Sequence, residues 1–566
     1  MKKTVSLMLV LLTLVSMLAG CGGIAPDSKD KGAQISAYIS NEIRDFDPGY
    51  TLLDDSAAKI FNLIYSGLVS INENGKVEYD LMKKYEIVHD ERLDVDKMYI
   101  TLKETMWSDG RNLTADDVVF AWKRVLDPEF DSPAASLLYD IKNARAVKNG
   151  DCSVDDLGIA AVDNYMFEIQ FEEDETDYDL FIERLASPAL VPLREDVVTR
   201  YDNWATSSST MVASGPFAVK NLEYGKSFML ERNSYYFRDK EKDNLDKYVK
   251  PYRINVSFKL DTAEQLAEFE AGNIFYLGDI PVENRAEYKS QAKVTDVPSI
   301  HTYVVNNDNN VLSKPEVRKA LSMALDREAI AELVVFAEPA TGFVPSMTND
   351  KTSKDSFRKN GGDVISSTAD LEGAKALLSE AKVKGGSFTI SYLDSDTEKA
   401  IAEYAAEVWS ELGFNVKTKV LKNAKQLSNA YRDRDFDIIA IDYQMLSKDA
   451  FNCFASYASV FSGMGIDMQN DNYDIVPHVS GYVSEDYDAL IESAYAASSR
   501  KEESEYLHQA EQMLAEDMPV IPIVFNQDYY LINKKVLSGQ SMNYFGGKIF
   551  TDLNMKNYEK YLPTEE

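Results

Sequence analysis

Three cysteines and four histidines are the side chains best suited to nucleophilic or metal chemistry in this chain, and their spacing argues against both. His89, His301, His478 and His508 form no HExxH pattern and have no cysteine pair beside them, so no zinc site is expected. "GKS" at 225–227 ends like a phosphate-binding loop, but the required earlier glycine position is Lys220 and the surroundings read as a β-turn. "NNDNNV" at 306–311 offers oxygen ligands at alternate positions, yet lacks the glycine and the distal glutamate of a calcium loop. Asp116 and Asp117 fall at a helix start, where the macrodipole explains them without catalysis. No serine lies in a GxSxG elbow. The expectation is therefore a protein that is not an enzyme and takes no metal or cofactor. Cys21 is placed differently: it closes an apolar run from Thr4 to Ala19 that follows Lys2 and Lys3. That is the outline of a secretion signal, too short for the ~17–25 residues of a spanning helix and ending in small residues, not in a charge.

Composition bounds what lies downstream. Removal of residues 1–20 deletes two lysines and takes the formal charge from −33 to −35, on a chain that is 45% hydrophobic. This is a folded chain and not a disordered one, and its length exceeds the ~250–300 residues at which one core stops growing, so two or three domains are expected. Such acidity excludes a general nucleic-acid binder, which needs clustered Lys and Arg to neutralise phosphate. Cys152 and Cys453 stand 301 positions apart and are expected to be unpaired. Thirty-three tyrosines beside four tryptophans supply many amphipathic rings, most of them for packing.

The elements that must position any site read as mixed α/β. "MYITLKETMWSDG" alternates as a half-buried strand and stops in Ser108, Asp109 and Gly110. Thr114 and Asp117 then cap a helix with Val118, Trp122 and Val125 on its buried face. "LGIAAVDNYMFEIQF" and "SGPFAVKNLEYGKSFMLERN" each read as a strand pair, the second turning at Glu223 to Gly225. Ser313 and Glu316 suggest a capping box, with Pro315 allowed in the first turn. A βαβ unit follows: "SFTISYL", a helix "TEKAIAEYAAEVWSELG", then "FNVKTKVL". After a helix near Ala424 to Tyr431, "FDIIAIDYQ" is an apolar run of the kind buried on both faces of a parallel sheet. Ligands bind at the carboxyl ends of such strands, which singles out Asp442, Tyr443, Gln444 and Met445.

Two resemblances add to this reading. Leu18 to Cys21 resembles the lipobox of bacterial lipoproteins, which implies diacylglyceryl transfer to the Cys21 sulfur, cleavage before it, and a membrane anchor followed by the flexible segment 21–33. The segment "MWSDGRNLTADDVVFAWKRVLDPEFDSPAASLLYDIKNARAVKNGD" resembles the solute-binding lipoproteins of ABC importers for oligopeptides and dipeptides, supported by "FDPGY", "SGPF", "VRKALSMALDREAI" and "MPVIPIVFNQDYYLINKKV".

The resemblance implies a two-lobed type II periplasmic-binding-protein fold with an additional α+β domain inserted in the first lobe. Residues 34–71, 185–298 and 521–566 would form lobe I, 72–184 the inserted domain and 299–520 lobe II, with chain crossings near Val297 to Tyr303 and Met518 to Val524. The implied function is capture of an extended peptide between closing lobes for delivery to an ABC permease, by a monomer on the outer face of the cytoplasmic membrane. The same fold binding an oligosaccharide, and a peptide-sensing surface receptor, are the alternatives. Ser214, Gly215 and Phe217 from lobe I and Asp442 to Asp449 from lobe II are the implied ligand contacts. The family's W-x-x-D-Y-x-x-P segment, whose Asp pairs with the peptide α-amine, is here "IDYQMLSKDAFNCF" without its Trp and Pro. Asp442 matches by the following Tyr443, and Asp449 by its distance to Phe451 and Phe454.

Overall fold

The computed structural model describes residues 31–562 apart from 40–42, 44, 50–54, 173–175, 225, 237–244, 259–260, 351–354 and 468–473. Cys21 and the segment before it lie outside the described residues. Among the described residues, no helix is long and apolar enough to cross a membrane.

Two strands of 13 residues, Lys293–Val305 and Val520–Ile532, run antiparallel through the middle of one eleven-stranded sheet. Their outer ends pair as Lys293–Asp296 against Tyr530–Gln527, and their inner ends as Ile300–Val304 against Phe525–Val520. The register breaks between Asp296 and Ile300. Such an irregularity bends a strand and strengthens its twist, and it divides the sheet into two halves joined by these two strands.

In the first half, Gln34–Tyr38 pairs in parallel with Arg253–Ser257 and Tyr276–Leu277, and the hairpin of Phe217–Glu223 with Ser227–Arg232 completes the edge. In the second half, Gly386–Leu393, helix Asp396–Glu411 and Phe414–Leu421 form the expected parallel βαβ unit. Ile401, Ala405 and Trp409 turn the helix face inward, and the indole Nε1 donates to the Leu321 carbonyl at 2.8 Å. Helix Ala424–Arg432 then leads to Ile438–Gln444, which lies between Gly386–Leu393 and Lys293–Val305.

A separate four-stranded antiparallel sheet, ordered Met82–Asp90, Val95–Leu102, Met166–Gln170, Ile159–Asp163, is inserted within the first half by chain order. Helix Ala115–Val125 covers it. Its capping box forms as read: Asp117 accepts from the Thr114 amide at 2.8 Å and from Trp107 Nε1 at 3.0 Å. Trp122 is fully buried and packs edge-on against Phe167.

The second capping expectation is corrected. Helix Pro315–Met323 takes Lys314 as its N-cap with no side-chain cap, and the Ser313 hydroxyl turns to the Asn310 carbonyl instead. With proline at the first helical position one orphan donor is already missing, so the cap has less to satisfy. Cys152 and Cys453 are both free thiols, the latter buried.

Candidate functional site

A cavity of about 390 Å³ lies where the two halves face each other over the break in the central ladder. Val297 and His301 come to it from one long strand and Asn526 to Tyr529 from the other, while Asp442 and Gln444 come from the end of Ile438–Gln444. Two helix starts close the sides. Helix Thr262–Ala271, capped by Asp261, belongs to the first half, and helix Asp396–Glu411, capped by Ser395, to the second. The halves touch there: the Thr262 hydroxyl meets an Asp396 carboxylate oxygen at 3.2 Å, and the Arg285 guanidinium donates to the Thr397 hydroxyl at 2.7 Å. These contacts join the two halves across the cavity.

The polar centre is a triad. His301 stands opposite Asp442 in the strand register. Its Nδ1 lies 3.1 Å from Asp442 Oδ1 and 3.4 Å from Glu398 Oε1. Asn526 donates to the same Asp442 oxygen at 2.8 Å. His301 Nε2 and Glu398 Oε2 are buried without a hydrogen-bond partner, whereas the Asp442 side chain is 32% exposed and reachable from the cavity.

Burial opposes charge on His301, but the carboxylates of Glu398 and Asp442 outweigh it and lift the imidazole to about 9. Burial lifts the Glu398 carboxyl to about 7 against the pull of His301. Burial also pushes Asp442 up, yet His301, Asn526 and Lys59 prevail and hold it below the usual carboxylate range. The three ligand atoms lie within 4.8 Å of one another, a spacing that fits a cation. A resident metal fits the site poorly: a metal-bound imidazole normally donates its other N–H to a carboxylate or carbonyl, and His301 Nε2 has no such acceptor.

One backbone feature completes the geometry. Ile438–Gln444 is laddered along its length to Lys293–Val305, but to Gly386–Leu393 only at Ile438 and Ile439. Its carboxyl half therefore has strand partners on one side only, next to the cavity.

The sequence-derived candidates divide sharply. Asp442 and Gln444 line the cavity. Tyr443 and Met445 do not, because side chains alternate across a strand: Tyr443 packs against Ile300, Ala340 and Phe525, and Met445 is buried in the core. Ser214, Gly215 and Phe217 are also corrected. The Ser214 hydroxyl accepts from the Ser66 amide at 3.0 Å, Phe217 is core, and a Cβ on Gly215 would sit 2.6 Å from the Ile64 carbonyl carbon. The glycine thus permits close backbone packing and does not line the cavity. Asp449 caps helix Ala450–Ala455 and is bound by Arg184 at 2.8 Å, both side chains buried, which removes it from the role of amine anchor.

No local motif marks His301, Glu398, Lys59 or Asn526 as part of a site. His301 sits in a buried strand and Glu398 in an acidic first helical turn, so each has an ordinary local explanation. Only the pairing of His301 with Asp442 across the ladder identifies them, and that pairing is invisible until the strands are placed.

The family model described as "Bacterial extracellular solute-binding proteins, family 5 Middle" matches residues 77–463. The chain is 28% identical to the oligopeptide-binding protein OppA of Bacillus subtilis, over 97% of this chain and all of that one. It is 27% identical to the dipeptide-binding protein DppE of the same organism, over 92% of this chain and 91% of that one. Among solved structures, the murein tripeptide binding protein MppA of Escherichia coli overlays with a TM-score of 0.77 at 22% identity, covering 93% of this chain and 98% of that one. A structure of MppA described as its unliganded open form overlays at 0.56, also at 22% identity, covering 93% and 97%.

Proposed function

Because the chain belongs to the family 5 bacterial extracellular solute-binding proteins, we propose that it captures peptides in the cavity between its two halves and hands them to an ABC permease for import. The observation that carries this reading is the half-laddered strand ending at Asp442. An extended ligand added beside Ala440–Gln444 would pair main chain with main chain, which gives affinity independent of side chains. Its ammonium would then meet the Asp442 carboxylate. The relatives named for oligopeptide and dipeptide binding support the same ligand class. An oligosaccharide ligand is less favoured, since three of the four tryptophans, Trp107, Trp122 and Trp409, are fully enclosed in core and offer no stacking platform.

Calorimetry with a short peptide, free or acetylated at its amino terminus, tests the assignment. Asp442→Asn should weaken the free peptide at least a hundredfold, as expected for loss of one member of a buried ion pair worth ~3–5 kcal/mol. The acetylated peptide should bind both forms equally poorly. Equal affinity of free and acetylated peptides for the parent protein would remove Asp442 as the anchor.

The finer placement rests on sequence. We read residues 34–71, 185–298 and 521–566 as lobe I, 72–184 as the inserted domain and 299–520 as lobe II, in a monomer that catalyses no reaction. Cys21 would carry the lipid that keeps the protein at the outer face of the cytoplasmic membrane. Cys21→Ser should then move it from the membrane fraction to the soluble one, and retention on the membrane would refute the anchor.

A further inference from the structure

The two long connecting strands fall out of step beside the cavity. Gln527 pairs with Asp296 and Phe525 with Ile300, so Asn526 alone stands opposite Val297, Pro298 and Ser299. Pro298 has no N–H to give to a ladder, and prolines within sheets collect at such irregularities. On its other edge the Asn526 backbone is paired with Ala337. Its side chain lines the cavity and spans the gap that the ladder leaves.

The Asn526 amide makes two bonds there. Nδ2 donates to the Ser299 hydroxyl at 3.0 Å and to Asp442 Oδ1 at 2.8 Å. Chemistry fixes which end of the amide faces inward, because an ionised carboxylate only accepts and so must meet the nitrogen. His301 Nδ1 lies 3.1 Å from the same Oδ1. Both partners thus converge on one oxygen, and Oδ2 is left as the acceptor for a ligand. The strand excursion is fixed from its other side as well: the Pro298 carbonyl accepts from the Gln444 side chain at 3.1 Å and from the Met445 amide at 2.8 Å.

We infer that Asn526 is a positioning residue for ligand capture: its amide, held in turn by Ser299 at the break in the ladder, fixes the Asp442 carboxylate with one oxygen free for the ligand ammonium. This rests on the peptide reading above and adds a residue that acts on the peptide through Asp442. The terminal torsion of an aspartate is broad and roughly two-fold, so a carboxylate with a single partner can turn and present either oxygen. Two partners on Oδ1 remove that freedom, and an ammonium arriving at Oδ2 meets an acceptor already in place, which spares the cost of ordering it on binding.

The test offers the purified protein an equimolar pair of random short-peptide libraries, one with free and one with acetylated amino termini, and measures the retained members by mass spectrometry. Asn526→Leu keeps the shape of the side chain and removes both donors. Its preference for free over acetylated peptides should fall roughly tenfold or more, the worth of one hydrogen bond to a charged group, while retention of acetylated peptides stays as in the parent. In an Asp442→Asn background the same substitution should change the preference no further, because the two residues act as one unit. Ser299→Ala deprives the amide of its second partner and should lower the preference in the same direction by a smaller factor; it decides the matter if Asn526→Leu does not fold. Equal loss of both peptide classes marks a merely structural role and overturns the inference, as does an unchanged preference in Asn526→Leu, or in Ser299→Ala where that variant alone folds. A parent protein that retains free and acetylated peptides equally, or retains neither, overturns the reading of Asp442 as peptide anchor, and this inference with it.

Discussion

At the scale of single residues, His301 combines near-complete burial with a place in the cavity lining. It is enclosed, yet its Nδ1 faces two carboxylates, with the charge of Lys59 acting on Asp442 and Asn526 on the shared oxygen. Its affinity for a proton is raised in the fold, from 6.5 to about 9. The folded state therefore holds a proton that the unfolded chain gives up between those values, and the stabilisation is fully present below pH 6.5 and lost as pH climbs toward 9. Glu398 acts in the same sense over a lower window, since its carboxyl is raised from 4.5 to about 7. Thermal melting of the unliganded protein from pH 6 to 9.5 should show a falling midpoint, and His301→Asn should flatten that fall. A slope unchanged by the substitution would mean that other groups set it.

At the scale of elements, what could be read from sequence was what depends on local pattern. The βαβ unit of the second half is legible because each piece carries its own period and stop: alternation in 386–393, a helical face ending at Gly413, alternation again. The capping box at Thr114 is legible for the same reason, and the one at Ser313 fails because Pro315 brings no N–H for a cap to satisfy and the Ser313 hydroxyl donates to the Asn310 carbonyl instead. Asp442 and Gln444 could be chosen from the strand-end rule, but choosing Tyr443 and Met445 beside them ignored the alternation that the same strand imposes. The Ser214 to Phe217 segment carries a family pattern whose physical content is packing, since Gly215 lies against the backbone of Ile64 and Tyr65. His301 and Glu398 were beyond reach because their meaning is a distance between elements far apart in sequence.

At the scale of the molecule, the inserted unit joins two bodies. By chain order it belongs to the first half, but its packing reaches the second. The tilted rings of Tyr139 and Phe461 lie 5.9 Å apart between centroids, the Tyr495 hydroxyl donates to the Tyr139 carbonyl at 2.8 Å, and Arg145 meets Glu492 at 2.7 Å. Beneath them Arg184 is buried between Asp140 and Asp449. Asp449→Asn leaves that guanidinium with one carboxylate in place of two, and breaking such a buried pair typically costs about 3–5 kcal/mol. The expected result is a clearly lower melting temperature with peptide affinity little changed at a temperature where the variant is folded. A variant that melts like the parent but binds peptide a hundredfold more weakly would return Asp449 to the ligand site.

The same interface bears on timing. If a peptide lies along Ala440–Gln444 as proposed, and the inserted unit travels with the half to which its chain ends are joined, every opening of the molecule parts Tyr139 from Phe461 and Arg184 from Asp449 before the peptide enters. Entry then waits on a step that involves no peptide at all. Raising the peptide concentration speeds capture only until that step becomes limiting. The resulting ceiling belongs to the protein, and it is the same for every sequence the cavity accepts.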